Sequence, residues 1–272
     1  MKRLLFLFAP LMMFCLPPYA AGQFYGEISL ASAPVAFVGE NADDQAGYHI
    51  SIAGDVNHDG IDDILIAAPE NSEAKGQVYL VFGKTDNWNA TINLGDADAS
   101  FIGEVKSDRA SHDVFGLGDI NNDGIDDFAI GVKFADQAGA NAGKTYIFFG
   151  KETGWSKDTP LAQADASLLG EEAGSEAGHV SPAGDMNGDG ISDFIIGAGF
   201  NDQAGANAGK VYVVFGKADG WEKDLSLAQR MLPFWARLRK ISLVIGWQRR
   251  VISMETDWMI SSLALTARTR TV

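Results

Sequence analysis

The chain has 272 residues, 36 acidic against 21 basic side chains for a formal net charge of −15, and a single cysteine. That balance argues against nucleic acid as a partner, because phosphate binding needs a basic surface. One cysteine excludes a disulfide framework and any cysteine-based zinc site. The charge is unevenly placed. Residues 1–21 carry Lys2 and Arg3 and no acid, residues 22–229 carry 34 acidic and 11 basic side chains, and residues 230–272 carry Glu255 and Asp257 against eight basic ones.

Met1-Lys2-Arg3 opens the chain, an apolar run follows from Leu4 to Leu16, and Pro17-Pro18-Tyr19-Ala20-Ala21-Gly22 closes the segment. A short basic start, about a dozen apolar residues and then small ones describe a secretory signal peptide over 1–21. The run is too short for a membrane span, which needs roughly 20 apolar residues. Cys15 lacks the small residues before it that a lipid-anchored cysteine requires. The segment therefore predicts a secreted, periplasmic or cell-surface protein with no transmembrane span.

One acidic loop then occurs three times. Asp55-Val56-Asn57-His58-Asp59-Gly60-Ile61-Asp62-Asp63 returns as Asp119-Ile120-Asn121-Asn122-Asp123-Gly124-Ile125-Asp126-Asp127 and as Asp185-Met186-Asn187-Gly188-Asp189-Gly190-Ile191-Ser192-Asp193, at spacings of 64 and 66 residues. Each copy leads into an apolar run such as Ile64-Leu65-Ile66. A second run follows, ending in Phe82-Gly83-Lys84, Phe149-Gly150-Lys151 or Phe215-Gly216-Lys217, and then a polar turn holding Trp88, Trp155 or Trp221. Upstream of the later loops lie short elements of the type Ala99-Ser100-Phe101-Ile102-Gly103-Glu104. Runs of β-branched and aromatic residues between Gly, Asn and Asp clusters read as strands. About four such strands in every 65 residues predict an all-β chain, a partial β-propeller of about three four-stranded blades over residues 22–229.

The loop pattern points to a cation. Positions 1, 5 and 9 supply carboxylates, position 3 an amide oxygen and position 7 a main-chain carbonyl, while glycine at position 6 permits the sharp turn. The expected ligands are Asp55, Asn57, Asp59, Ile61 and Asp63; Asp119, Asn121, Asp123, Ile125 and Asp127; and Asp185, Asn187, Asp189, Ile191 and Asp193. Calcium, with six to eight oxygen ligands, suits that set, in about three structural sites. Neither an EF-hand nor a dockerin fits, because position 12 is Ile66, Ile130 or Ile196 where those motifs need an acid and flanking helices.

These loops, the Ala67-Ala68-Pro69 and Gly197-Ala198 that follow two of them, and the closing Phe-Gly pairs resemble the FG-GAP repeats of integrin α-chain propellers and of bacterial surface proteins. The resemblance covers about residues 36–228. It implies a calcium-binding propeller acting in cell adhesion or protein interaction through a protein or surface-glycan ligand, and no enzymatic activity. A non-catalytic propeller module of an exported hydrolase is the alternative, and a non-functional truncated product is another. Gly131-Val132-Lys133 and Gly197-Ala198-Gly199 depart from the family's Gly-Ala-Pro without touching a ligand position.

The last segment breaks the pattern. After Leu225-Ser226-Leu227-Ala228-Gln229 the repeat calls for Ala-Asp-Ala-Ser, and the chain supplies Arg230-Met231-Leu232-Pro233. Reading the codons one base back restores the repeat. The single-codon residues Trp235 and Met254 then force glycines, Trp258 and Met259 force aspartates, and a fourth loop begins near position 251. The expectation is a frameshift near residue 229 and a non-native tail over 230–272, irregular or disordered. The competing reading makes Arg237 to Arg250 a basic amphipathic helix.

Other motifs are weak. Gly139-Ala140-Asn141-Ala142-Gly143-Lys144-Thr145 is one residue short of a phosphate-binding loop and reads as a hairpin. His49, His112 and His179 precede the first loop aspartate by six or seven residues and read as a recurrent blade position. Asn89-Ala90-Thr91 is a glycosylation sequon only in an organism that uses it.

Overall fold

The computed structural model describes residues 30–230. The expected signal segment 1–21 and, apart from Arg230, the expected tail over 230–272 lie outside the described residues.

The regular secondary structure of the described chain is almost wholly strand. In order they are β1 (Ala36–Val38), β2 (Ile50–Gly54), β3 (Asp63–Ala68), β4 (Gln77–Val81), β5 (Thr91–Asn93), β6 (Ala99–Ile102), β7 (Asp113–Gly118), β8 (Asp127–Val132), β9 (Lys144–Phe148), β10 (Thr159–Pro160), β11 (Ala166–Leu169), β12 (His179–Gly184), β13 (Asp193–Ala198), β14 (Lys210–Val214) and β15 (Leu225–Ser226). Among the described residues no helix is long and apolar enough to cross a membrane.

Each repeat is one antiparallel meander. The first sheet runs β2-β3-β4-β6, the second β7-β8-β9-β11, and the third, among the described residues, is the three strands β12-β13-β14. This is a partial propeller. A two-residue strand that follows the Trp155 turn and another that follows the Trp221 turn each add an edge the periodicity did not reveal: β10 lies parallel to β6, and β15 parallel to β11.

The middle strands explain why the blades stack. Every residue of β4, β8 and β9 is buried. Alternate side chains of such a strand point to opposite faces, so a strand with apolar side chains on both must be covered on both. Val78, Leu80 and Phe101 of the first blade pack with Val114, Phe128 and Phe148 of the second. Ile147 and Leu168 of the second pack with Val180, Phe194 and Tyr212 of the third. The cores thus lie between sheets, one per junction.

The tryptophan turns close those cores. The Trp88, Trp155 and Trp221 indoles donate to the carbonyls of Lys84, Lys151 and Lys217 at 2.9, 2.9 and 2.8 Å. Trp155 lies against Phe101 and Phe128, and Trp221 stacks on Phe194.

Candidate metal-binding loops

Each acidic loop joins the first strand of a blade to the second, and its fold follows from its side chains. In the first loop the Asp55 carboxylate accepts from the backbone N–H of Asp59 at 2.9 Å and of Gly60 at 2.8 Å. Asn57 Oδ1 also accepts from Asp59 N–H, and Asp59 Oδ1 from Ile61 N–H, both at 2.9 Å. Short polar side chains capturing nearby N–H groups are the reason Asp and Asn make such turns. The same four bonds recur around Asp119, Asn121 and Asp123, and around Asp185, Asn187 and Asp189. In the third loop the N–H of Gly190, first among several, holds the Asp185 carboxyl below the usual range.

The turn needs two left-handed residues. The glycine at position 6 has φ of 87°, 90° and 87° in the three loops. Position 4 is also left-handed, and His58, Asn122 and Gly188 occupy it. That demand is not visible from three unlike residues.

The aspartates at positions 1 and 5 are partly or fully exposed in each turn, and position 9 does not share their setting. Asp63, Asp127 and Asp193 are fully buried at the start of the second strand. Asp63 accepts the N–H of Val56 at 3.1 Å and of Gly83 at 2.9 Å, one on each oxygen. Asp127 does the same for Ile120 and Gly150, and Asp193 for Met186 and Gly216. The ninth residue is therefore a strut that ties the loop to the Phe-Gly at the end of the third strand. Burial pushes the Asp63 carboxyl up to about 6 and that of Asp127 up to about 8, against the pull of the two backbone donors.

Among the described residues no three Asp, Glu, His or Cys side chains gather as a metal cluster of their own. The loop donors are a mixed set of carboxylate, amide and main-chain oxygens on a partly exposed turn. All-oxygen sets of this kind suit a hard divalent cation.

The loops also lock to one another. Asp126 Oδ2 accepts the N–H of Asp55 at 3.0 Å, and the Val56 carbonyl accepts the N–H of Lys151. Ser192, in the place of Asp126, instead donates its N–H to the Asp119 carbonyl.

The histidines sort differently from their sequence spacing. His49, Asp113 and His179 hold the same place at the head of the innermost strand, and His112 stands one residue earlier. Asp113 lies 3.6 Å from His49 Nε2 and 2.5 Å from His179 Nδ1. Burial raises the Asp113 carboxyl while the two histidines oppose the rise. His112 packs instead on the edges of Tyr48 and Phe134. The near P-loop is a hairpin between β8 and β9, and its Lys144 is buried with its ammonium 2.8 Å from Asp224.

A second repeated device escaped the sequence. Tyr79 donates to Glu40 at 3.1 Å, Tyr146 to Glu104 at 2.7 Å and Tyr212 to Glu171 at 2.7 Å. Each tyrosine sits on the third strand of a blade, and each glutamate follows the outer strand preceding that blade. The Glu-after-Gly spacing was the only trace of it.

A scan against family models matches the FG-GAP repeat at residues 46–81, 114–148 and 177–214. The chain carries three FG-GAP repeats. It is similar to Integrin alpha pat-2 of Caenorhabditis elegans, 31% identical over 186 residues that make up 65% of this chain and 14% of that protein. Integrin alpha-PS3 of Drosophila melanogaster is 33% identical over 170 residues, 60% of this chain and 14% of the relative. Integrin alpha-5 of Xenopus laevis is 33% identical over 172 residues, 60% and 15% of the two chains. The match therefore spans about a seventh of each relative's length.

Proposed function

We propose that the chain is an exported, calcium-stabilised interaction module of the adhesion type, without catalytic activity. The observation that carries this reading is one oxygen-rich loop folded three times with the same backbone hydrogen bonds, in repeats similar to those of integrin alpha chains. Asp55, Asn57, Asp59 and the Ile61 carbonyl would hold the ion in the first loop, with Asp63 anchoring the loop's end. Asp119 to Asp127 and Asp185 to Asp193 supply the same set. A bound calcium ion supplies positive charge among like-charged carboxylates. The basic and then apolar segment over 1–21 supports export, to an environment where calcium is plentiful.

Extracellular calcium modules bind at about 10⁻⁴–10⁻³ M. At about ten times the dissociation constant each loop gains about 1.4 kcal/mol, so three gain about 4 kcal/mol and raise Tm by about 10 °C. Asp55→Ala, Asp119→Ala and Asp185→Ala should each remove about a third of that gain in differential scanning calorimetry. A Tm indifferent to calcium rejects the metal assignment. Beads coated with the mature chain should retain cells in calcium and release them in chelator; no retention under either condition rejects the adhesion reading.

A further inference from the structure

The three acidic loops share four backbone hydrogen bonds, and the third departs from the other two in the bonds around its asparagine. In every loop the asparagine at position 3 accepts the N–H of position 5 on its side-chain oxygen, at 2.9 Å each. In the first two loops the amide nitrogen is held as well: Asn57 Nδ2 donates to Asp59 Oδ2 at 3.1 Å, and Asn121 Nδ2 to Asp123 Oδ2 at 2.9 Å. The Asn187 side chain is held through its oxygen alone among the described residues.

The next residue differs too. Position 4 is left-handed in all three loops; His58 and Asn122 put a side chain there, and Gly188, with φ of 77°, does not. Gly188 also turns its N–H onto Asp185 Oδ1 at 2.6 Å. The corresponding carboxylates, Asp55 and Asp119, accept only from positions 5 and 6 among the described residues. Asn187-Gly188 is the one Asn-Gly pair in the sequence.

We propose that Asn187 is a site of spontaneous deamidation, selected from the three loop asparagines by these contacts. The Gly188 nitrogen attacks Asn187 Cγ, the new N–Cγ bond closes a succinimide ring, and the Cγ–Nδ2 bond breaks. Nδ2 leaves as ammonia, carrying the proton that the attacking nitrogen gives up. Water then opens the ring at one carbonyl or the other and leaves aspartate or isoaspartate. Glycine has no Cβ to crowd the attacking nitrogen. The Asp189 N–H on Asn187 Oδ1 draws charge from the carbon under attack and steadies the oxyanion that forms there. The Asp185 carboxylate already accepts the hydrogen that must depart. The first two loops, which hold the amide nitrogen and lack the glycine, keep their asparagines. In the third, aspartate adds a negative charge beside Asp185 and Asp189, and isoaspartate lengthens the main chain within the turn. No metal takes part, so the reaction stands apart from the calcium reading.

Ageing the full chain in chelator at mildly alkaline pH tests this, read by peptide mass spectrometry with fragmentation to place each change. Asn187 should gain one mass unit at least about tenfold faster than Asn57 or Asn121, as expected for an unhindered and pre-positioned nucleophile. Mass is the readout because the Asp-Gly pairs of all three loops can form isoaspartate without changing it. Gly188→Asn, which copies the pair of the second loop, should bring Asn187 down to the rate of Asn121. Asn122→Gly should raise Asn121 towards the rate of Asn187. Repeating the ageing of the unaltered chain in urea separates fold from sequence: the folded loop should react at least as fast as the unfolded chain. Equal rates at the three asparagines, rates unmoved by the two exchanges, or a folded rate below the unfolded one overturns the proposal.

Discussion

Removing a single hydroxyl from the junction between the first two blades measures how blades are held together. Tyr146 is buried on β9 and donates to Glu104 at 2.7 Å, a charge-assisted bond between residues 42 apart in sequence. Bonds to charged groups contribute about 1.5–3 kcal/mol. The Tyr146→Phe variant keeps the ring and its packing in the first inter-blade core and loses only the donor. Glu104 retains some water and a second partner, the Lys144 ammonium at 3.8 Å, so the lower part of that range applies. Tyr146→Phe should then cost about 1.5–2 kcal/mol, a fall in Tm of about 4–6 °C for a domain of this size. The decisive assay is a double-mutant cycle with Glu104→Gln in urea unfolding, where the two changes should couple by at least about 1 kcal/mol. Coupling below about 0.3 kcal/mol would refute the bridge as an inter-blade tie and leave apolar burial and the loop-to-loop hydrogen bonds to hold the blades together.

Acidification should weaken the fold through His112. Burial first, then Lys133, Arg109 and His179, pushes its imidazole down to about 4. The unfolded chain takes up the proton near pH 6.5, so this contribution is complete above that pH and is lost as the pH falls towards 4. The loss approaches about 2–3 kcal/mol and should be absent from the pH profile of His112→Gln. Gly143→Ala should destabilise by about 3 kcal/mol in denaturant melts, because its φ is +87° and a Cβ there would lie 2.0 Å from the Ala177 carbonyl oxygen. Gly124→Ala, at a similar φ but in open space, should cost about 1 kcal/mol, and equal losses at the two sites would discredit the steric argument. Chelator should speed limited proteolysis within 55–63, 119–127 and 185–193, and unchanged cleavage there would count against a metal in the loops.

The local features were legible because their causes are local. Asp55, Asn57 and Asp59 capture N–H groups at most five residues away, that of Gly60 among them, so the same letters at the same spacing fold into the same turn. The strands were legible because a run such as Val78-Tyr79-Leu80-Val81 is buried on both faces. Roles within the site were less so. Asp63 and Asp55 look alike in the motif, yet one is a buried strut and the other lines an open turn. That difference depends on Gly83, 20 residues on, whose N–H holds Asp63 Oδ1.

The sequence by itself determined the period, the loop chemistry and the all-β class. Only the tertiary structure decided how repeats meet. It put His49, Asp113 and His179 at one level, and His112 off it. It linked Tyr79, Tyr146 and Tyr212 to glutamates 39 to 42 residues earlier. Among the described residues it also paired β1 with β5 alone and left one edge of β14 open. A repeated sequence specifies each unit through short-range hydrogen bonds and alternation. Contacts between units arise from faces brought together over one whole period, which no single repeat spells out.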